Sequence, residues 1–314
     1  MKIYLIIIFV IVLVVIINMT QNRPVKFTSN DIIYKSYSVN GYEDLKNKSG
    51  FLYTIGSIPK IIIKTSWQTR DKFPLQMIDS LDKTIDTNPD WGIYYFDDDE
   101  VDQFMKDFSN EYSKIIYNDI YGLYKKLVPG AFKADFFRVC CLYKYGGCYS
   151  DIGHICLTSL NDVCGDSNLV LVSDTNEKGF HGIHNAFMCS TIKHEFFKTV
   201  IYHICYNIDN EFYGESCLDI TGPERLGKIF NCFFLYKCND KLENLFVYGA
   251  KIYSCDKCNV KILNFKAKNG VPDKILDGDK EIIDCKFKDY YNVMYKNQKT
   301  PRYGELWDTR KVYN

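Results

Sequence analysis

Residues 130–156, GAFKADFFRVCCLYKYGGCYSDIGHIC, decide how the rest of the chain folds. Pro129 and Gly130 close off what precedes them. A helix is predicted over 131–145, with Phe132, Phe136, Val139 and Tyr143 at the three-and-four spacing of one buried stripe. Asp135 and Arg138, three apart, lie side by side along the edge of that stripe. Gly146 and Gly147 then offer the left-handed conformation that stops a helix. A short β-prone run over 148–152 follows and leaves Asp151 where the strand ends. In open α/β sheets the ligand crevice lies outside the carboxyl ends of strands. The stretch therefore predicts an α/β fold and places a candidate site in it.

The whole chain has 314 residues, 46% of them hydrophobic, enough for one large or two smaller cores. Its 39 basic and 39 acidic side chains cancel, and no basic run stands out, which excludes the electrostatic footprint of a nucleic-acid binder. The 25 tyrosines and 21 phenylalanines suit an aromatic core, with some left for stacking on planar rings. Thirteen cysteines are odd in number and irregularly spaced, so at least one lies outside any intrachain disulfide. Cys255 and Cys258 form a single CxxC with no second pair to complete a zinc site; buried thiols, a disulfide and zinc all stay open there.

Residues 3–17 are an unbroken apolar run without a small-residue cleavage site after it, which reads as an uncleaved signal anchor. The expected organisation is a transmembrane anchor over 1–22, a polar stem over 23–56 and a large globular domain over 57–314. Such a protein spans the membrane once, type II, with its large domain in an ER- or Golgi-like lumen. Asn47-Lys48-Ser49 is a sequon usable in that compartment.

Along the domain, 58–65 has a buried-strand pattern and leads to Trp67, either a core residue or a stacking platform. A helix over 73–86 and a strand over 91–96 follow. Asp97-Asp98-Asp99-Glu100 is read as a helix cap rather than a metal site. One helical segment is expected over 110–128. Further on come a strand at 168–173, a loop carrying His181 and His184, a helix at 194–208, and a helix start capped by Thr221 with Pro223 in its first turn. The His181/His184 spacing reads as two loop histidines rather than a metal pair. Short strands are expected at 245–248, 252–253, 260–263 and 281–284.

Several of these pieces taken in order carry a resemblance. They are Ile58-Pro59-Lys60-Ile61-Ile62 with Thr65 and Trp67, Asn88-Pro89-Asp90-Trp91, Lys133-Ala134-Asp135 with Arg138, Leu142-Tyr143 with Gly146-Gly147, Tyr149 and Asp151, then Asn185-Ala186-Phe187-Met188 and Thr221-Gly222-Pro223. The chain resembles glycosyltransferase family 32, which has a DxD sugar-binding motif and includes fungal initiating α-mannosyltransferases. More distantly it is similar to the glucosyltransferase domains of large clostridial toxins. The resemblance implies a GT-A type Rossmann-like fold with a mixed central sheet, and a nucleotide-sugar donor (a UDP- or GDP-sugar). It also implies a glycan or glycoconjugate acceptor, retention of configuration, and manganese or magnesium. Carried over, Trp67 would stack on the donor base, Asp135 and Arg138 would hold the sugar, and Asp151 would be the first DxD acid. Asn185, Thr221 and Gly222 would border the same pocket.

Two departures stand out. The second DxD acid is Gly153, followed by His154, so the metal set is Asp151 with donor phosphates and a group from the C-terminal tail, or Asp151 with His154, or none. The family's His-Gln after the first strand is Ile63-Lys64. Beside transfer, the missing acid leaves open a degenerate relative that binds a nucleotide sugar or glycan without transferring it.

Overall fold

The computed structural model describes residues 39–48, 56–175, 181–238, 251–255, 258–268, 271–296 and 301–314. The expected anchor (1–22), most of the expected stem and the expected strand at 245–248 lie outside them. Among the described residues no helix is long and apolar enough to cross a membrane. The packed unit runs Val39–Asn314 and opens with helix α1, Tyr42–Lys48. Tyr42 and Leu45 of this helix are buried, Tyr42 lying 5.6 Å from both Phe96 and Phe104 between ring centroids. This piece of the expected stem is local structure packed on the main domain.

The first strand, β1 (Ile61–Thr65), pairs in parallel with β2 (Gly92–Phe96), and helix α2 (Leu75–Thr87) connects them. Both strands are buried on both faces, as continuous apolar runs in parallel sheets are. Helix α3 (Asp98–Tyr112) begins with a capping box between Asp97 and Glu100, so the acidic run is a cap as expected. The single helix expected over 110–128 is instead a break after α3 and a short α4 (Ile120–Lys126). Short polar side chains compete with the helix there. Asp119 accepts from Gly122 N at 3.0 Å, Ser109 Oγ accepts from Tyr121 N at 3.0 Å, and Ser113 Oγ accepts from Ile120 N at 3.3 Å.

Helix α5 (Gly130–Tyr145) is buried almost all round from Phe136 onward, including Phe137, Cys140, Cys141 and Leu142, rather than along one stripe. Helices apolar on every side are interior helices, and each fully buried Phe or Leu contributes roughly 1.5–3 kcal/mol. Gly147 then opens β3 (Gly147–Ser150) at φ +81°, where an added Cβ would lie 2.7 Å from the Ile61 carbonyl oxygen. Only glycine lets β3 dock in parallel beside β1 at that point.

The remaining elements are β4 (Ile155–Cys156), α6 (Leu160–Cys164), β5 (Leu169–Thr175), β6 (His181–Ile183), β7 (Phe187–Ser190), α7 (Glu195–Asp209) and α8 (Pro223–Cys238). Then come β8 (Lys251–Cys255), β9 (Cys258–Lys268), β10 (Val271–Asp277), β11 (Lys280–Asp284), α9 (Tyr290–Tyr295) and α10 (Tyr303–Asp308). Among the described residues the mixed sheet runs β2-β1-β3-β7-β5-β9-β10-β11-β4, with β6 on β5 and β8 on β9. Strand β10 is absent from the sequence expectations. Its Val271-Pro272 start and charged residues hide the alternation. Alternate side chains of β1 and β3 enter two cores, Ile61, Ile63 and Tyr149 on one face and Ile62 and Cys148 on the other. Cys148 and Cys189, direct register partners on β3 and β7, form a disulfide inside the second core, with Cys164 Sγ 3.8 Å from Cys148 Sγ.

Strand β3 is third in the sheet path and β4 is last, yet only residues 151–154 separate those two strands in the chain. The sheet curls to bring β11 and β4 round to the end of β3. Asp151, Gly153 and His154 sit in that junction.

Candidate functional site

Arg138 stands at the centre of the site. Its Nη1 donates to the Asn185 carbonyl at 2.9 Å and its Nε to the Ala134 carbonyl at 3.2 Å, which fixes the plane of the guanidinium. Its Nη2 lies 3.5 Å from Asp135 Oδ1 on one side and 3.5 Å from Asp151 Oδ1 on the other. The guanidinium carbon lies 4.5 Å from the centroid of the Tyr149 ring, a cation–π contact. Asp135 accepts from Asn185 Nδ2 at 2.9 Å and from Thr221 Oγ1 at 3.0 Å. Asp151 accepts from the Tyr149 hydroxyl at 2.8 Å.

Side-chain exposure rises from 13% at Asp135 to 36% at Asp151, so one acid is deep and the other at the mouth. Burial pushes the Asp135 carboxyl up from its ordinary value, against the Arg138 charge and the hydrogen bonds from Thr221 and Asn185. Burial also works against the Arg138 charge, but Tyr149, Asp151 and Asp135 outweigh it and hold that pKa above its ordinary value. A single buried cation thus links a deep acid to one at the mouth.

Beneath Asp151 is a residue that sequence reasoning noted only as a departure. Lys64, fully buried on β1, donates to the carbonyls of Asp151 at 3.0 Å and His154 at 3.2 Å, and to Ser150 Oγ at 3.3 Å. Its ammonium gathers the inward-pointing oxygens of the 151–154 turn. Burial lowers its pKa to about 8, with Cys156 and Asp151 opposing the shift. A lysine closing the run Ile61-Ile62-Ile63-Lys64 was the available signal, because a strand buried on both faces leaves a charge no route to solvent.

The other expected residues divide. Asn185 and Thr221 are buried and bond Asp135 directly. Thr221 therefore turns its hydroxyl to the site just ahead of α8. A Cβ added at Gly222 would sit 3.4 Å from Asp135 Oδ2, so the backbone closes over that acid. Trp67 is 60% exposed just after β1, not a core residue, while the backbone around it is held by the Tyr95 hydroxyl donating to the Ser66 and Gln68 carbonyls. His154 is buried and grouped with His184 and Cys285 as possible ligands, not with Asp151. His181 contributes backbone to β6; its side chain is outside the described set.

Position 153 explains its own residue. A Cβ there would meet the Tyr290 ring at 2.8 Å and the Cys285 carbonyl at 3.0 Å. The space where a second acid would begin is filled by α9. Among the described residues the acid left at this position for a divalent cation is the partly exposed carboxylate of Asp151, whose Oδ1 already faces Arg138 and Tyr149. That fits a site of the kind in which substrate phosphates supply most of the ligands, and it does not fit a two-acid clasp.

Residues 74–171 match the family described as "Glycosyltransferase sugar-binding region containing DXD motif". A curated relative, the initiation-specific alpha-1,6-mannosyltransferase of Candida albicans (strain SC5314 / ATCC MYA-2876), is 26% identical over 143 residues, 44% of this chain and 36% of the relative. The matched part therefore spans little more than a third of that relative's length. Among solved structures, one titled PaToxG glycosyltransferase aligns at TM-score 0.42 and 15% identity, covering 61% of this chain and 76% of the other. The catalytic domain of alpha-toxin from Clostridium novyi aligns at TM-score 0.33 and 12% identity, covering 64% and 68%. The segment that carries Asp135, Arg138 and Asp151 is thus matched to the DXD-containing sugar-binding region of glycosyltransferases, the family that the chain resembles in sequence.

Proposed function

We propose that the chain is a retaining glycosyltransferase with a GT-A type domain over 57–314, moving a hexosyl group from a UDP- or GDP-sugar to a glycan or glycoconjugate acceptor. The observation that carries this reading is the Asp135–Arg138–Asp151 chain of contacts, with both acids 3.5 Å from one guanidinium nitrogen. Breaking the bond between the sugar carbon and the diphosphate oxygen leaves negative charge on phosphate and positive character on the ring. Arg138 faces the first, and the two carboxylates favour the second. The acceptor hydroxyl attacks the face that the diphosphate leaves and passes its proton to the departing phosphate oxygen, so no enzyme nucleophile is required. Asn185 and Thr221 hold Asp135 in place, and Lys64 holds the turn beneath Asp151. Exposed Trp67 is available to stack on the donor base. Manganese or magnesium, held by Asp151 together with the donor's phosphates, would add Lewis-acid charge at the leaving group.

The full chain incubated with a panel of UDP- and GDP-sugars and manganese should release nucleoside diphosphate, and Asp151→Ala should abolish the release. No turnover and no calorimetric binding across the panel would overturn the enzyme reading. The filled space at Gly153 favours a second reading, a donor-binding relative without transfer. Binding of a nucleotide sugar with no turnover in any acceptor screen is its signature. The apolar run at 3–17 supports a type II anchor with a lumenal domain, testable by protease protection in microsomes.

A further inference from the structure

We propose that His154, His184 and Cys285 form a soft-metal site of the zinc class, separate from the Asp151 donor site and placed behind it. Their ligand atoms all lie within 4.8 Å of one another. Three different segments supply them: the 151–154 turn, the loop between β6 and β7, and the residue after β11. In a tetrahedral zinc site with bonds near 2.0–2.3 Å, ligand atoms stand roughly 3.3–3.8 Å apart. Side-chain movements of about 1 Å would therefore close the three residues on an ion.

Each ligand is held and oriented. His184 Nε2 is buried without a hydrogen-bond partner, a cost that a metal would remove. Its ring stacks on Phe265 at 4.1 Å and 13°, and lies nearly parallel to the His154 ring at 6.3 Å and 18°. His154 Nδ1 is 3.3 Å from Ser150 Oγ, and in the tautomer in which Nδ1–H donates to that hydroxyl Nε2 is free to coordinate. This is the arrangement in which a partner on one ring nitrogen orients the other toward a metal. Cys285 is a buried thiol whose backbone N–H is tied to the Asp273 carbonyl at 2.9 Å.

The chemistry of the set selects the ion. Two neutral imidazoles and one thiolate suit zinc or its cobalt surrogate and are poor ligands for magnesium or manganese. Binding converts the Cys285 thiol to zinc-bound thiolate and releases one proton to solvent; no redox change is involved. Three protein ligands leave the fourth tetrahedral position to solvent. A bound ion would tie the turn carrying Asp151 to the end of β11, where the curled sheet closes on itself.

The test is cobalt(II) and zinc titration of the metal-stripped full chain. Wild type should bind about one cobalt per chain with a thiolate-to-cobalt charge-transfer band and tetrahedral d–d bands, displaced by zinc and not by magnesium. Cys285→Ser should abolish the charge-transfer band, and His184→Asn should weaken binding at least about tenfold, while Cys255→Ser/Cys258→Ser leaves the spectrum in place. Absence of a band in wild type, or a band that survives Cys285→Ser, overturns the proposal. Should Cys285→Ser not fold by circular dichroism, alkylation of the wild type decides. Zinc should protect Cys285 from iodoacetamide in peptide mass maps, and equal labelling with and without zinc overturns the site. Neither readout depends on sugar transfer.

Discussion

Lys64 reaches beneath Asp151 and donates to its backbone carbonyl at 3.0 Å, from a position with no solvent contact. A buried ammonium therefore sets the height and direction of the one acid at the mouth of the site. Replacing it by Lys64→Met keeps much of the volume but strands the His154 carbonyl, while the Asp151 carbonyl keeps its bond from His154 N at 3.0 Å. The expected cost is about 1–3 kcal/mol for each buried group left unpaired. Urea denaturation should show it as a lowered midpoint, and donor turnover should fall with it. An unchanged midpoint would mean that the turn holds without the lysine.

Asp135 is the deep acid, and its role in the proposed transfer predicts a large loss on neutralisation. Asp135→Asn keeps the shape and should lower kcat by roughly 10²–10³, the scale of losing one preorganised electrostatic contact. Thr221→Val removes only the hydroxyl that orients it and should cost less. If Asp135→Asn retains full turnover of the best donor, the acid is structural.

Gly153→Asp would restore the written DxD motif yet collide with Tyr290. The single variant should lose about 1–3 kcal/mol through overpacking. The double variant Gly153→Asp/Tyr290→Ala should recover part of that loss and bind manganese more tightly than wild type. Thermal melts and manganese titrations followed by electron paramagnetic resonance read both effects. Equal melting temperatures for wild type and Gly153→Asp would show that α9 yields freely.

Trp67 is exposed and adds little to the core, so Trp67→Ala should change stability by less than about 0.5 kcal/mol. Base–aromatic stacking is worth about 1–3 kcal/mol, so UDP or GDP affinity should fall about 5- to 150-fold by calorimetry. Unaltered affinity for both nucleotides would remove Trp67 from the donor site.

The helix–glycine–strand reading of 130–156 survived in the structure because its signals are local. The Gly146-Gly147 stop and the acid after a short strand depend on neighbours within a few positions. The Asp97–Glu100 cap was legible for the same reason. The split after Tyr112 was not. Side chains of Ser109, Ser113 and Asp119 compete with the helix for the same amides, and periodicity does not count such bonds.

At the site, the family resemblance named Asp135, Arg138, Asp151, Asn185 and Thr221, from residue types in a matching order. Their meeting is tertiary: Thr221 Oγ1 lies 3.0 Å from an acid 86 residues earlier in the chain. So is the reason for Gly153, which reads as a lost ligand and proves to be a glycine against which Tyr290 packs. Lys64 under Asp151, and His154 beside His184 and Cys285, follow from the curl that brings β11 and β4 to the end of β3. Local order can write a turn and an acid into the chain. Which distant side chains crowd, bond or ligate around them depends on sheet closure, and pairing across the sheet leaves no periodic mark in the sequence.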